Sequence, residues 1–158
     1  MKILSIDPGF ERLGIAILEK EKGNKEKLIY SECFKTKSTL EFANRLLLIQ
    51  EKIDGICKNY KPEVLAIETL FMTTNQKTVI RVAEARGVVV VQSKKNGLQI
   101  KEYTPLQIKL ATTGYGKSDK QSIMKMIPKI IKIDDEKHSD DELDAIAVGI
   151  TCIAYEKY

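Results

Sequence analysis

MKILSIDPGFERLGIAIL, residues 1–18, is an apolar run ending in an acid, a Pro-Gly turn and a second apolar run. Residues 2–7 alternate apolar with polar, which predicts a strand whose last residue is Asp7. Pro8 and Gly9 turn the chain, and residues 13–19 predict a second strand. The polar stretch EKEKGNKEK, residues 19–27, predicts a hairpin loop with Gly23 and Asn24 at its tip, followed by a third strand over 27–36. Three strands joined by short loops make an antiparallel meander.

The remainder extends that sheet. Thr39 opens a helix with Ala43, Leu46, Leu47, Ile49, Ile53 and Ile56 at helical spacing, ending near Tyr60 before Lys61-Pro62. EVLAIETL, residues 63–70, predicts a buried strand, and strand–helix–strand in this order implies a parallel crossover. A helix over 76–92 with Gly87 as a weak spot, a strand at QIKEY (99–103) and a short helix after Pro105 follow. Gly114 and Gly116 break the chain, Ser118 with Gln121 spells a capping box, and Ser139 with Glu142 spells another that opens a last helix to about Tyr155. The expected fold is α/β, a mixed five-stranded sheet of three antiparallel strands then parallel ones, flanked by helices, in one domain over 1–158 without repeats or linkers.

Composition excludes little. A 158-residue chain with 43% hydrophobic residues suits one domain with a true core. The net charge of +4, from 26 Lys and Arg against 22 Asp and Glu, permits a polyanionic partner without demanding one. No apolar stretch reaches the roughly 18–20 residues of a membrane helix. The short run from Lys2 meets Asp7 too soon for a signal peptide. Cys33, Cys57 and Cys152 lack metal spacing, which points to reduced thiols, small buried hydrophobes and a cytoplasmic setting.

The chemistry is carried by acids in apolar surroundings. From Leu143 to Ala154 only Asp144, Gly149 and Thr151 interrupt the apolar residues, so the last helix is expected to be buried. Asp140 and Glu142 are accounted for by the helix dipole; Asp144 is not. Asp141 lies three residues before Asp144 and shares its face, making a candidate pair. Glu68 shares strand parity with Val64 and Ala66, and Asp7 with Ile3 and Ser5, so each carboxylate leaves its strand on a core-facing side. If the strands are adjacent and the last helix packs there, four carboxylates converge. Two such charges about 4 Å apart repel by roughly 4 kcal/mol at an effective dielectric of 20, so the cluster must take up protons or hold metal. Oxygen-only ligands favour Mg²⁺ or Mn²⁺, and two such ions would clamp the attacking and leaving oxygens of a phosphodiester. His138, the sole histidine, precedes the acidic helix and is either a supporting or general-base group or a loop residue without a role. Phe71, in a polar loop after Glu68, could stack on an unpaired base or tuck under the loop. In GYGKSDK the glycines and a helix N-terminus suit a phosphate, with Lys109, Lys117 and Lys120 as contacts, whereas Lys94 and Lys95 read as a solvated face.

SIDPGFERLGIAIL, LAIETLFMTTNQKTVIRVAEARGVV, KEYTPLQIKLATTGYGKSDKQSI and SDDELDAIAVGIT occur in that order over nearly the whole chain. Together they resemble the RuvC family of Holliday junction resolvases, within the ribonuclease H-like superfamily. The resemblance implies four catalytic and metal-binding acids, at Asp7, Glu68, Asp141 and Asp144, with Asp140 as the alternative third and some weight on His138. It implies a homodimer, with Val79, Ile80, Val82, Ala83 and Val90 available to an interface, that nicks symmetric strands of a four-way DNA junction. It also implies a RuvA–RuvB branch-migration complex as partner. Phe71 falls where a family aromatic contacts bases, and Lys109 and Lys120 best fit the family's basic positions. The alternatives are another ribonuclease H-like nuclease acting on RNA–DNA hybrids or RNA, and an actin- or hexokinase-like ATPase fragment, whose first phosphate loop also reads as strand, acid, glycine and hairpin. A non-enzymatic DNA-binding module would not need Asp144.

Overall fold

In the computed structural model, which describes residues 1–21, 23–70, 76–133 and 138–156, five strands form one sheet in the order β3-β2-β1-β4-β5. The strands are β1 (Lys2–Asp7), β2 (Arg12–Glu19), β3 (Lys27–Lys35), β4 (Val64–Glu68) and β5 (Gln99–Tyr103). The first three pair antiparallel and β1-β4-β5 pair parallel, as the loop lengths and crossovers require. Helices α1 (Phe42–Tyr60) and α2 (Gln76–Lys95) cover one face; α3 (Pro105–Thr113), α4 (Lys120–Ile130) and α5 (Asp140–Tyr155) cover the other.

Strand alternation sorts the core. Leu4, Ile6, Ile15, Ile17, Leu65 and Ile67 meet Ile49, Ile53 and Val89 from α1 and α2. Ile3, Ala16, Leu18, Val64 and Ala66 meet Ala145, Ile146, Val148 and Ile150 of α5. The α5-facing side is lined centrally by small residues, Ser5, Gly14, Ala16 and Ala66, so the helix lies close to the sheet. A Cβ on Gly14 would stand 2.1 Å from the Asp141 carbonyl oxygen, and one on Gly149 2.6 Å from Leu18 Cδ1. At Gly14 helix and sheet backbones meet directly, and at Gly149 the side chains of Leu18 and Ser5 pack on the helix backbone. The eight residues from Ala145 to Cys152 are buried, consistent with their apolar run.

Three local expectations need correction. α1 begins at Phe42 rather than Thr39, because residues 38–40 are taken up by a turn. α4 is capped by Asp119, whose side chain accepts from the Ser122 amide, not by Ser118 with Gln121. Ser118 is buried and its hydroxyl pairs instead with Thr113 at 2.7 Å. Gly114 and Gly116 serve the fold: Gly114 ends α3 in the left-handed region at φ 73°, and a Cβ on Gly116 would meet Leu106 at 2.5 Å. The capping box at Ser139 and Glu142 is present, its Ser hydroxyl accepting from the Glu142 amide at 3.4 Å and its Glu side chain accepting from the Ser139 amide at 2.9 Å. The three cysteines are free; Cys57 and Cys152 are buried, but Cys33 is partly exposed and engaged, as described below.

Candidate active site

Asp7 and Glu68 leave the sheet side by side. Ile6 pairs with Ile67, and one step further along that parallel register sets Asp7 beside Glu68. Both share parity with the α5-facing core, as their strands predict. Their exits are fixed from the opposite face. The buried Arg45 of α1 donates to the Phe10 carbonyl at 3.2 Å and to Thr36 at 2.9 Å, holding the turn after Asp7. Arg86 of α2 donates from Nε to the carbonyl of Glu68 at 3.1 Å and pairs with Glu102 of β5. Neither arginine was singled out from sequence, although an arginine within an apolar helical stripe is itself a signal of a buried partner.

α5 starts over this corner and adds its own acids. A cleft of about 270 Å³ is lined by Asp7, Glu68 and Asp144, with Lys109 and Lys120 on its rim and Pro105, Ile108, Ile123, Ala147 and Val148 as apolar wall. Burial, then the charges of Asp144, Glu68 and Asp141, push the Asp7 carboxyl up to about 7, with Lys120 opposing. Glu68 is raised by burial and by Asp144. Asp144 is raised by burial against the opposing hydrogen bond and charge of Lys120. Lys120 reaches Asp144 at 2.8 Å and Asp140 at 3.6 Å, and these contacts outweigh burial and raise its pKa.

Asp141 lies aside from the cleft-lining acids. Its Oδ2 accepts from Arg12 Nε at 2.8 Å, from Arg12 Nη2, and from the Cys33 thiol at 3.4 Å. Burial would raise the Asp141 carboxyl, but the Arg12 and Cys33 contacts and the Arg12 charge hold it below the ordinary range. Asp7, Gly14 and Cys33 stand in line across three strands, and Gly14 leaves the space into which the Asp141 backbone drops. Arg12 and Cys33 carry the strand parity of the α5 face, a signal in the alternation that the sequence reading left unused.

The other expected residues fall as follows. Asp140 is exposed and faces Lys120. His138 sits against Ser31 at 3.1 Å and Glu142 at 3.4 Å, a network tying β3 to the start of α5 outside the cleft lining. Lys117 is exposed and does not line the cleft. Phe71 lies outside the described residues. Among the described residues no three His, Cys, Asp or Glu side chains are gathered closely enough to ligate an ion as they stand. Lys120 holds Asp144 and Arg12 holds Asp141. The donor set still suits a hard cation: it is all carboxylate, and burial with the neighbouring acids raises Asp7 to about 7, which a bound cation would offset.

The family model described as "Crossover junction endodeoxyribonuclease RuvC" matches residues 3–152. The chain belongs to the RuvC family. It is 42% identical over 156 residues to the crossover junction endodeoxyribonuclease RuvC of Thermosipho melanesiensis, covering 99% of this chain and 98% of that one. It is 41% identical over 153 residues to the RuvC of Fusobacterium nucleatum, covering 97% of this chain and 80% of that one. Among solved structures it resembles Thermus thermophilus RuvC in complex with Holliday junction substrate, with a TM-score of 0.91 at 26% identity over 98% of this chain and 94% of the other. The chain is thus an endodeoxyribonuclease of crossover junctions, and the divalent-metal dependence of that family fits its carboxylate site. The ATPase and RNA-directed alternatives give way. Among the described residues no helix is long and apolar enough to cross a membrane.

Proposed function

We propose that Asp7, Glu68, Asp141 and Asp144 bind two Mg²⁺ ions, with Mn²⁺ able to substitute, and hydrolyse one phosphodiester of a four-way junction per active site. The observation that carries this reading is the convergence of Asp7, Glu68 and Asp144 on one cleft, with Asp7 held up to about 7 by burial and then by its acidic neighbours. The ions would supply activation of the attacking water and charge relief at the leaving oxygen. The chain's own residues do the rest. Arg45 and Arg86 fix the strand ends that carry Asp7 and Glu68. Asp7, raised to about 7, would hold a bound ion as the deprotonated carboxylate. Lys120, released from Asp144, and Lys109 on the rim take phosphate oxygens and position the strand, and exposed Lys117 extends that basic path. Phe71 stacks on a base near the crossover.

Paired, symmetric nicks require two sites in one particle, and a homodimer supplies them. Support comes from the outer face of α1 and α2. Leu47, Ile80 and Val91 are 53%, 60% and 68% exposed there, beside an apolar groove lined by Leu46, Val88 and Gly87. Val79, Val82 and Val90 are only partly exposed, so the interface reading shifts toward Ile80, Ala83 and Val91. We also read the enzyme as a cytoplasmic partner of the RuvA–RuvB branch-migration complex.

The test offers a four-way junction, a linear duplex and an RNA–DNA hybrid to the protein in Mg²⁺, alongside Asp7→Asn. Junction cutting alone, lowered about 10²-fold or more in a variant that still binds the junction, is the expected result. Preferential hybrid cutting, or undiminished cutting by the variant, contradicts the reading.

A further inference from the structure

Arg12 is a cation placed on a carboxylate that the reading above assigns to metal. Both of its contacting nitrogens and the Cys33 thiol converge on Oδ2 of Asp141, and Asp141 is absent from the cleft lining that Asp7, Glu68 and Asp144 share. The contact is built by the fold. Arg12 opens β2 on the α5-facing side, two residues before Gly14, and Gly14 is where the Asp141 backbone meets the sheet. The guanidinium side chain is 51% exposed and Asp141 22%, so Arg12 can leave at small desolvation cost whereas Asp141 cannot follow it into solvent.

We propose that Arg12 is an active-site residue that competes with the divalent ion for Asp141 and is drawn off by a phosphate of bound DNA. This rests on the assignment of Asp141 as a ligand. Three donors already occupy Oδ2 and the guanidinium charge repels a second cation, so an ion that takes this oxygen displaces Arg12 and one on Oδ1 is weakened by it. The anion able to receive the displaced fork is a phosphate, whose geometry it matches in two-point contact. DNA and metal then bind cooperatively through one side chain, and by linkage each raises the affinity of the other by the same factor. The DNA-free protein binds the ion through Asp7, Glu68 and Asp144 more weakly than the DNA-bound one, and the contact to Asp141 is completed on the substrate.

The test compares wild type, Arg12→Ala, Arg12→Lys and Asp141→Asn. Free Mn²⁺ is counted by its electron paramagnetic resonance signal during titration of DNA-free protein, and junction affinity is measured in EDTA and in Ca²⁺. The expected result is that Arg12→Ala binds Mn²⁺ about fivefold or more tightly without DNA, the size of a partly exposed charge-assisted pair. Its metal-dependent gain in junction affinity is correspondingly smaller, and Arg12→Lys falls between. A gain in affinity is not produced by misfolding, so the outcome is not confounded by stability. Equal Mn²⁺ affinities for Arg12→Ala and wild type, or an undiminished metal–junction coupling, overturns the proposal. Asp141→Asn separates the two levels. If it weakens Mn²⁺ binding while Arg12→Ala is neutral, the ligand assignment stands and the competition fails. If it leaves Mn²⁺ binding unchanged, the assignment of Asp141 fails.

Discussion

Asp7 carries a cost that its neighbours impose. Its ordinary pKa of 3.8 is raised to about 7 in the folded, metal-free protein, first by burial and then by Asp144, Glu68 and Asp141. Between about pH 4 and pH 7 the folded state keeps a proton that the unfolded chain has released, so stability falls as pH rises through that window and levels off above it. Asp7→Asn has no such proton to lose. In EDTA at pH 8 the variant should melt about 3 °C or more above wild type, the gap should narrow as pH falls and close near pH 4, and Mg²⁺ should raise only the wild type substantially. Thermal melts across this pH range check it; a variant less stable than wild type at pH 8 counts against the cluster. Asp7, Glu68 and Asp144 were legible in sequence because a carboxylate in an apolar strand end or buried helix has few structural uses. Arg12 was not read, because it follows ordinary surface composition, and Cys33 was read only as a small buried hydrophobe; both acquire meaning only once β2, β3 and α5 are docked.

At the level of elements, the site depends on how closely α5 approaches the sheet. Small residues on β1, β2 and β4 and the caps of α5 set that approach. Gly14→Ala places a Cβ 2.1 Å from the Asp141 carbonyl oxygen and 3.1 Å from Asp7 Cβ, so the helix start must retreat from β1 and β2. The expected cost is about 1–3 kcal/mol, read by chemical denaturation. Cleavage should fall more than that loss explains, because Asp141 and Asp144 move with the helix away from Asp7; a variant that is destabilised but cleaves at the wild-type rate when folded contradicts this. Element types were legible from period and turn chemistry, including the Ser139 capping box. The start of α1 and the cap of α4 were not, because Ser118 is claimed by a tertiary contact with Thr113 and local propensity cannot register that.

For the whole molecule, the mixed sheet followed from two short antiparallel connections and two crossovers, while the adjacency of β1 and β4 stood only as a condition. With that condition met, the ends of β1 and β4 and the start of α5 meet at one corner of the sheet. Which surfaces meet a second copy was less legible, since an apolar helix face serves a core or an interface equally. The central claim concerns that corner, and anomalous scattering from Mn²⁺-soaked crystals of the DNA-free protein tests it most directly. The account predicts an Mn²⁺ peak bounded by Asp7, Glu68 and Asp144. A corner empty of Mn²⁺ would contradict it.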